Sequence, residues 1–165
     1  MKRLAATVAI GSLAALAPAA QAADPPKDMV RGLGLVGSTS LNHFAFAAHS
    51  GPLGEDAHGN VHVFDNTTAD GNARRRFQGE VTCLRVSGNL ATFVVDFRKL
   101  VNRPSFDGAL FVVEDNGNPP SAESPDRIGI RDFVGDPPPC PDPLTVRPPQ
   151  GFLIRGDIEV RDATA

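Results

Sequence analysis

The chain has 165 residues, 41% apolar and 21% charged, with a net charge of −3, which describes one ordinary folded domain. It contains 16 Gly and 15 Pro, lacks Trp and Tyr, and draws all its aromatic surface from 10 Phe. That composition favours many turns over long helices, and excludes a coiled coil, a collagen-like repeat and a multi-span membrane protein.

Met1-Lys2-Arg3 opens an apolar run from Leu4 to about Ala20, which ends in Ala20-Gln21-Ala22. A short cationic start, an apolar segment and small residues at alternate positions predict a secretory signal peptide over 1–22, cleaved after Ala22. Gly11, Ser12 and Pro18 interrupt the run and no basic cluster follows it, which argues against a membrane anchor. No second apolar run of ~20 residues follows, so no membrane insertion of the mature chain is expected. The expectation is therefore a secreted protein with an extended lead-in over 23–40 and a single β domain over 41–162.

Residues 1–22 hold Lys2 and Arg3 and no acid, so the mature chain has 14 basic against 19 acidic side chains, a net −5. Nucleic acid and anionic lipid both require a basic footprint. Arg74-Arg75-Arg76 is too small to supply one, so neither partner is expected. The preference for Arg over Lys, with abundant Ala, Gly and Pro, fits a high-GC bacterial genome.

From residue 41 the apolar pattern has period two. Phe44, Phe46 and Ala48 share one face of a strand, as do Val61 and Val63. Thr82, Leu84 and Val86 alternate with Val81, Cys83 and Arg85, and Phe93, Val95 and Phe97 with Val94 and Asp96. Leu110–Val113 is apolar on both faces, as in a strand covered on both sides. Ile128 and Ile130 form another pair. In the last segment Phe152, Ile154, Ile158 and Val160 are assigned to one face, with Arg155, Asp157, Glu159 and Arg161 opposite. Turn sequences fall between these runs: Asp70-Gly71-Asn72 ahead of a short Ala73–Gln78 run, Ser87-Gly88-Asn89, and Asp115-Asn116-Gly117-Asn118. The prediction is an all-β fold, an antiparallel β-sandwich or flattened barrel of about seven or eight short strands.

Cys83 and Cys140 are the only cysteines, and an even count in an exported chain predicts one disulfide. Closing a loop of this size stabilises by roughly 4 kcal/mol on the chain-entropy argument. Cys140 lies in Asp136-Pro-Pro-Pro-Cys-Pro-Asp-Pro143, which cannot join a central sheet because proline lacks the ladder donor. The bridge should pin this proline loop onto a sheet face.

Phe44-Ala-Phe-Ala-Ala-His-Ser-Gly51, Gly59-Asn-Val-His-Val-Phe-Asp65, Val81-Thr-Cys-Leu-Arg-Val-Ser-Gly-Asn-Leu-Ala-Thr92, Phe111-Val-Val-Glu-Asp-Asn-Gly117 and Gly156-Asp-Ile-Glu-Val160 carry a resemblance. Together they are similar to a family of small secreted bacterial β domains, akin to those that follow choice-of-anchor domains in surface proteins. The resemblance covers most of residues 44–160. It implies a secreted all-β domain, and it implies no catalytic residues.

Several sets of residues are candidates for chemistry. Gly32-Leu-Gly-Leu-Val-Gly37 spells a dinucleotide-binding motif, but no strand is expected before it and no helix after it, so no cofactor is expected. His43, His49, His58 and His62, with Glu55 and Asp56, form the densest set of metal-ligand types. They would serve a small secreted hydrolase or metal-dependent enzyme, the alternative reading. Nothing in their spacing fixes a single ligand sphere, so the expected state is metal-free. Asp115, Asn116, Asn118 and Asp126 offer oxygens, but without the spacing of an EF-hand loop. No G-x-S-x-G nucleophile motif occurs, and the adjacent Glu114 and Asp115 point to opposite strand faces. The Asn66-Thr67-Thr68 sequon is read as chance. The primary expectation is thus a non-catalytic module that binds an extracellular or cell-envelope partner. Its binding residues are placed on two polar loops: His49, Glu55, Asp56 and His58 at Ser50–Asn60, and Asp115, Asn116 and Asp126 at Asp115–Asp126.

Overall fold

A computed structural model describes residues 26–37, 42–65, 75–101, 106–117 and 121–164. Its strands are β1 (Asp28–Gly37), β2 (Asn42–Ser50), β3 (His58–Asp65), β4 (Arg75–Ser87), β5 (Leu90–Val101), β6 (Gly108–Glu114), β7 (Arg127–Phe133) and β8 (Gly151–Arg161). Each runs antiparallel to its sequence neighbours and β8 returns to β1, so the sheet closes into an eight-stranded barrel. Closure gives every strand two neighbours, although β7 and β8 pair over only two residues. The one helical element among the described residues is the 3-10 turn Pro143–Thr145, capped by the Asp142 carboxylate, which accepts from the Leu144 N–H.

Side chains fill the barrel, as in other small barrels. Phe44, Phe46, Ala48, Val61, Val63, Phe93, Val95 and Phe97 all face inward and are buried, as their alternation predicts. Phe46 stacks against Phe44 at 5.3 Å between ring centroids and tilts against Phe93 at 5.0 Å, and Phe93 stacks on Phe111 at 4.9 Å. Phe77, Phe97 and Phe106 form a second aromatic group. Such pairs add about 0.5–1.5 kcal/mol each beyond their area burial.

Three strands differ from the sequence expectation. Residues 28–37, expected within an extended lead-in, are β1, paired with both β2 and β8. Its inward positions are Val30, Gly32, Gly34 and Val36, so half of the inward face carries no side chain. A Cβ on Gly32 would lie 2.6 Å from Phe46 Cζ, and one on Gly34 2.7 Å from the Arg155 carbonyl oxygen. These glycines therefore make room for the rings of β2 and for a close approach of β8. That is the structural meaning of the G-x-G spelling.

β4 is one strand from Arg75 to Ser87, with register shifts at Gln78/Glu80 and Val81/Cys83. The second shift places Val81 and Leu84, of opposite parity, together in the core. In β8 the assigned face is wrong over its first half: Leu153 and Ile158 are buried, while Phe152 and Ile154 are each 51% exposed. Gly156, at φ +111°, is opposite Gly34; beyond it, at the register shift beside Leu35/Val36, Ile154 is the extra residue between Arg155 and Leu153 and reverses the in–out alternation there. The predicted turns at 70–72, the sequon and Asn118 lie outside the described residues.

Cys83 and Cys140 are joined, with their Cα atoms 5.7 Å apart. The proline segment crosses the outside of β4 and β5, where the 3-10 turn packs. Thr92 and Val94 point out of the barrel yet are 0% exposed, and Thr92 Oγ1 donates a 2.6 Å hydrogen bond to the Pro141 carbonyl. The bridge thus holds a proline strap against the sheet face, as the sequence predicts.

Candidate functional site

The Ser50–Asn60 loop is bonded largely to itself. Gly51 N–H donates to the Glu55 carbonyl at 2.8 Å, Gly54 N–H to the Gly51 carbonyl at 2.9 Å, and Leu53 N–H to the Glu55 carboxylate at 2.8 Å. Asp56 is the one non-glycine residue with positive φ among the described residues, at +51°, and its carbonyl lies 2.8 Å from His58 Nδ1. Glu55 and Asp56, expected as binding residues, therefore shape the turn.

The histidines separate into two groups. His49 and His58 are directly opposite on β2 and β3, with ring centroids 5.8 Å apart. His43 is opposite Phe64, and His62 is opposite Ala45. Six residues of strand separate His43 from His49, roughly 20 Å at about 3.3 Å per residue. Among the described residues, no group of three or more His, Cys, Asp or Glu could hold a metal ion. The set on which the enzyme reading rests does not converge.

Asp115, Asn116 and Asp126 do come together, in bonds that close the barrel. Asp126 is 0% exposed; one carboxylate oxygen accepts from Asn116 N–H at 2.9 Å and the other from Ile158 N–H at 2.7 Å. Its carbonyl accepts from Leu153 N–H at 2.9 Å. The Asp115 carboxylate accepts from Gly117 N–H at 2.9 Å and from Val160 N–H at 3.0 Å, and Asn116 Nδ2 donates to the Pro125 carbonyl. Burial raises the Asp126 pKa, against the pull of the Asn116 and Ile158 amides, which stabilise the anion. Nearby Asp157 is likewise raised, by burial first and by Asp115 and Glu159 next, and its Oδ1 is buried without a hydrogen-bond partner.

These carboxylates stand where a β-ladder would otherwise run. β7 and β8 share only two residue pairs, Arg127 with Phe152 and Ile128 with Gly151. Toward one rim, Asp126 and Asp115 take over as acceptors for β8 amides. Toward the other, the residues that would continue the pairing against Gly129 and Ile130 are Gln150 and Pro149, with Pro148 next. Two consecutive prolines cannot donate to a ladder, so pairing stops. The β7 edge beyond Ile128 then borders a groove of about 790 Å³ between the outer face of β6–β7 and residues 145–151. Leu110 and Val112 give it an apolar floor, with Arg131 opposite Leu110 on the same face and Arg147 on the wall. Ile130, opposite Phe111 on the inner face, lines its edge and is 45% exposed. The sequence signal for this site was Pro148-Pro149 immediately before the last strand. It gains meaning only beside β7.

In comparisons with protein-family models, curated proteins and solved structures, no match was found for this chain.

Proposed function

We propose that this protein is an exported, non-catalytic binding module of the extracellular space or cell envelope, and that its groove receives an extended, carboxylate-bearing peptide segment of a partner. Export is supported by the cationic-apolar N-terminus with its Ala20-Gln21-Ala22 end and by the disulfide. The resemblance to secreted bacterial β domains points the same way.

The observation that carries the binding reading is the β7 edge from Gly129 to Phe133, which has no strand partner beyond Ile128 and lies in an apolar groove. An extended chain can add to such an edge through its own backbone and place alternate side chains on the floor. Arg131 and Arg147 set the charge of the occupant, because guanidinium groups pair with carboxylates in a two-pronged geometry. Those cations favour an acidic segment over a basic one.

The test uses a short synthetic peptide of alternating valine and glutamate, with a valine–lysine peptide as control. The glutamate peptide should slow amide exchange at Gly129–Phe133, and Arg131→Glu with Arg147→Glu should abolish the effect while leaving the melting temperature in place. Equal binding of both peptides, unchanged exchange on β7, or concentration-dependent dimerisation that protects the same edge would overturn the reading.

A further inference from the structure

We infer that His49 and His58 form a binding site for a divalent transition-metal cation on the outer face of β2–β3, with Cu²⁺ as its tightest occupant. The site lies apart from the β7 groove and does not depend on it. Three observations support it. First, the register places the two histidines directly opposite each other, both exposed, with rings 5.8 Å apart. At metal–nitrogen distances of about 2.0–2.1 Å, two imidazoles sharing one ion have centroids roughly 4.5–6 Å apart, so side-chain rotation alone can complete the site.

Second, His58 is already held as a metal ligand requires. Its Nδ1 lies 2.8 Å from the Asp56 carbonyl, which accepts the Nδ1 proton and leaves the Nε2 lone pair free to bind. Metal-bound histidines almost always donate the other ring N–H in this way, which fixes both tautomer and ring direction. Third, that carbonyl is aimed by a strained residue: Asp56, at φ +51°, adopts a backbone conformation that L side chains rarely occupy. The turn bonds of Gly51, Gly54 and Leu53 to their loop neighbours over-determine it.

Two imidazoles leave the remaining coordination positions to water, because both rings face solvent. A nitrogen–oxygen set of this kind suits tetragonal Cu²⁺, and the order of divalent affinities places Cu²⁺ above Ni²⁺ and Zn²⁺. The hard cations Ca²⁺ and Mg²⁺ prefer all-oxygen shells and gain little here. The inferred ligand is therefore a copper ion at an open, exchangeable site.

The test is a Cu²⁺ titration of the full exported chain, followed by calorimetry and by electron paramagnetic resonance. One ion per chain with two imidazole nitrogens in its shell is expected. His49→Ala and His58→Ala should each weaken binding roughly tenfold or more, in line with the cost of disturbing a metal shell. His43→Ala and His62→Ala should leave it unchanged. Asp56→Gly keeps the carbonyl and tolerates positive φ, so it should retain binding; its loss would make the Asp56 carboxylate the ligand and overturn the assignment. Equal affinity in the wild type and both single-histidine variants, or a one-nitrogen spectrum from the wild type, would also overturn it. Since both rings are on the surface, circular dichroism should show the native fold in every variant.

Discussion

Asp126→Ala removes the acceptor that joins the β6–β7 connection to the last strand. In the wild type the carboxylate takes two backbone amides, Asn116 N–H at 2.9 Å and Ile158 N–H at 2.7 Å, at a position with no solvent exposure. A buried donor left without a partner costs about 1–3 kcal/mol, so two of them set a gross loss of roughly 2–6 kcal/mol. Burial of the carboxylate is itself unfavourable, as its raised pKa records, and alanine relieves that part. The net loss should therefore fall near the middle of the range, about 3 kcal/mol, which corresponds to roughly 10 °C in melting temperature for a domain of this size. Urea denaturation with the disulfide intact measures it directly. Exchange of the Ile158 amide should accelerate more than that of amides in β4 or β5, because the damage is at the β7–β8 seam. Asp126→Asn keeps one acceptor but turns an N–H₂ group toward the other amide, so it should lose at least half as much. Glu123→Ala, exposed in the same connection, is the control. A loss below about 1 kcal/mol for Asp126→Ala, well under the cost of even two weakly buried amides, would refute the view that this carboxylate closes the barrel.

Four further outcomes follow from the same structure. Thiol labelling under denaturation should find no free sulfhydryl, and Cys140→Ala should cost about 4 kcal/mol and raise exchange at Thr92 and Val94, which the strap covers. Gly32→Ala should destabilise through the collision with Phe46, and the double variant Gly32→Ala/Phe46→Leu should recover part of the loss, giving a measurable coupling between the two sites. Asp28, Asp126 and Asp157 have raised pKa values in the fold, so the stability they contribute is fully present below the ordinary carboxyl pKa and is lost as pH rises through their folded values. Asp162 is lowered by hydrogen bonds from Thr164 and Gly88, and its contribution is lost only when pH falls below the ordinary carboxyl range. The urea midpoint should therefore rise on acidification from about pH 7 to about pH 4.5, and a fall would count against these environments. Intact mass of the secreted protein should match a chain that starts within two residues of Ala23.

The strands with side chains on both faces were legible in the sequence. Phe44, Phe46, Val61, Val63, Phe93 and Val95 each sit where their alternation puts them. β1 was missed because Gly32 and Gly34 occupy inward positions, so the pattern that marks a strand has gaps where the partner's rings fill the space. β8 was misphased because Ile154 is an extra residue at the register shift beside Leu35/Val36, and an extra residue reverses every assignment on one side of it. At the candidate sites the limit was distance along the chain. Asp126 meets Ile158 across 32 residues, and Pro149 meets Gly129 only once the barrel has closed. The local sequence showed a polar turn and a proline run, while their roles as barrel clasp and groove wall depend on the strand that each faces.

The pairing of the first strand with the last also determines how the barrel responds to pulling. Asp28 Oδ1 accepts from Ala163 N–H at 2.9 Å, so the two ends of the described chain leave from the same rim, side by side on antiparallel strands. Tension applied there peels β1 from β8 one hydrogen bond at a time, the mechanically weak direction, since the ladder bonds of an antiparallel pair lie across the strands and are loaded in sequence. The release has a stop, however. Cys83 and Cys140 are 57 residues apart in sequence and covalently joined, so the stretch between them adds no length however far the barrel opens. Held between two points, this domain would behave as a short extensible link that yields at low force and then becomes taut.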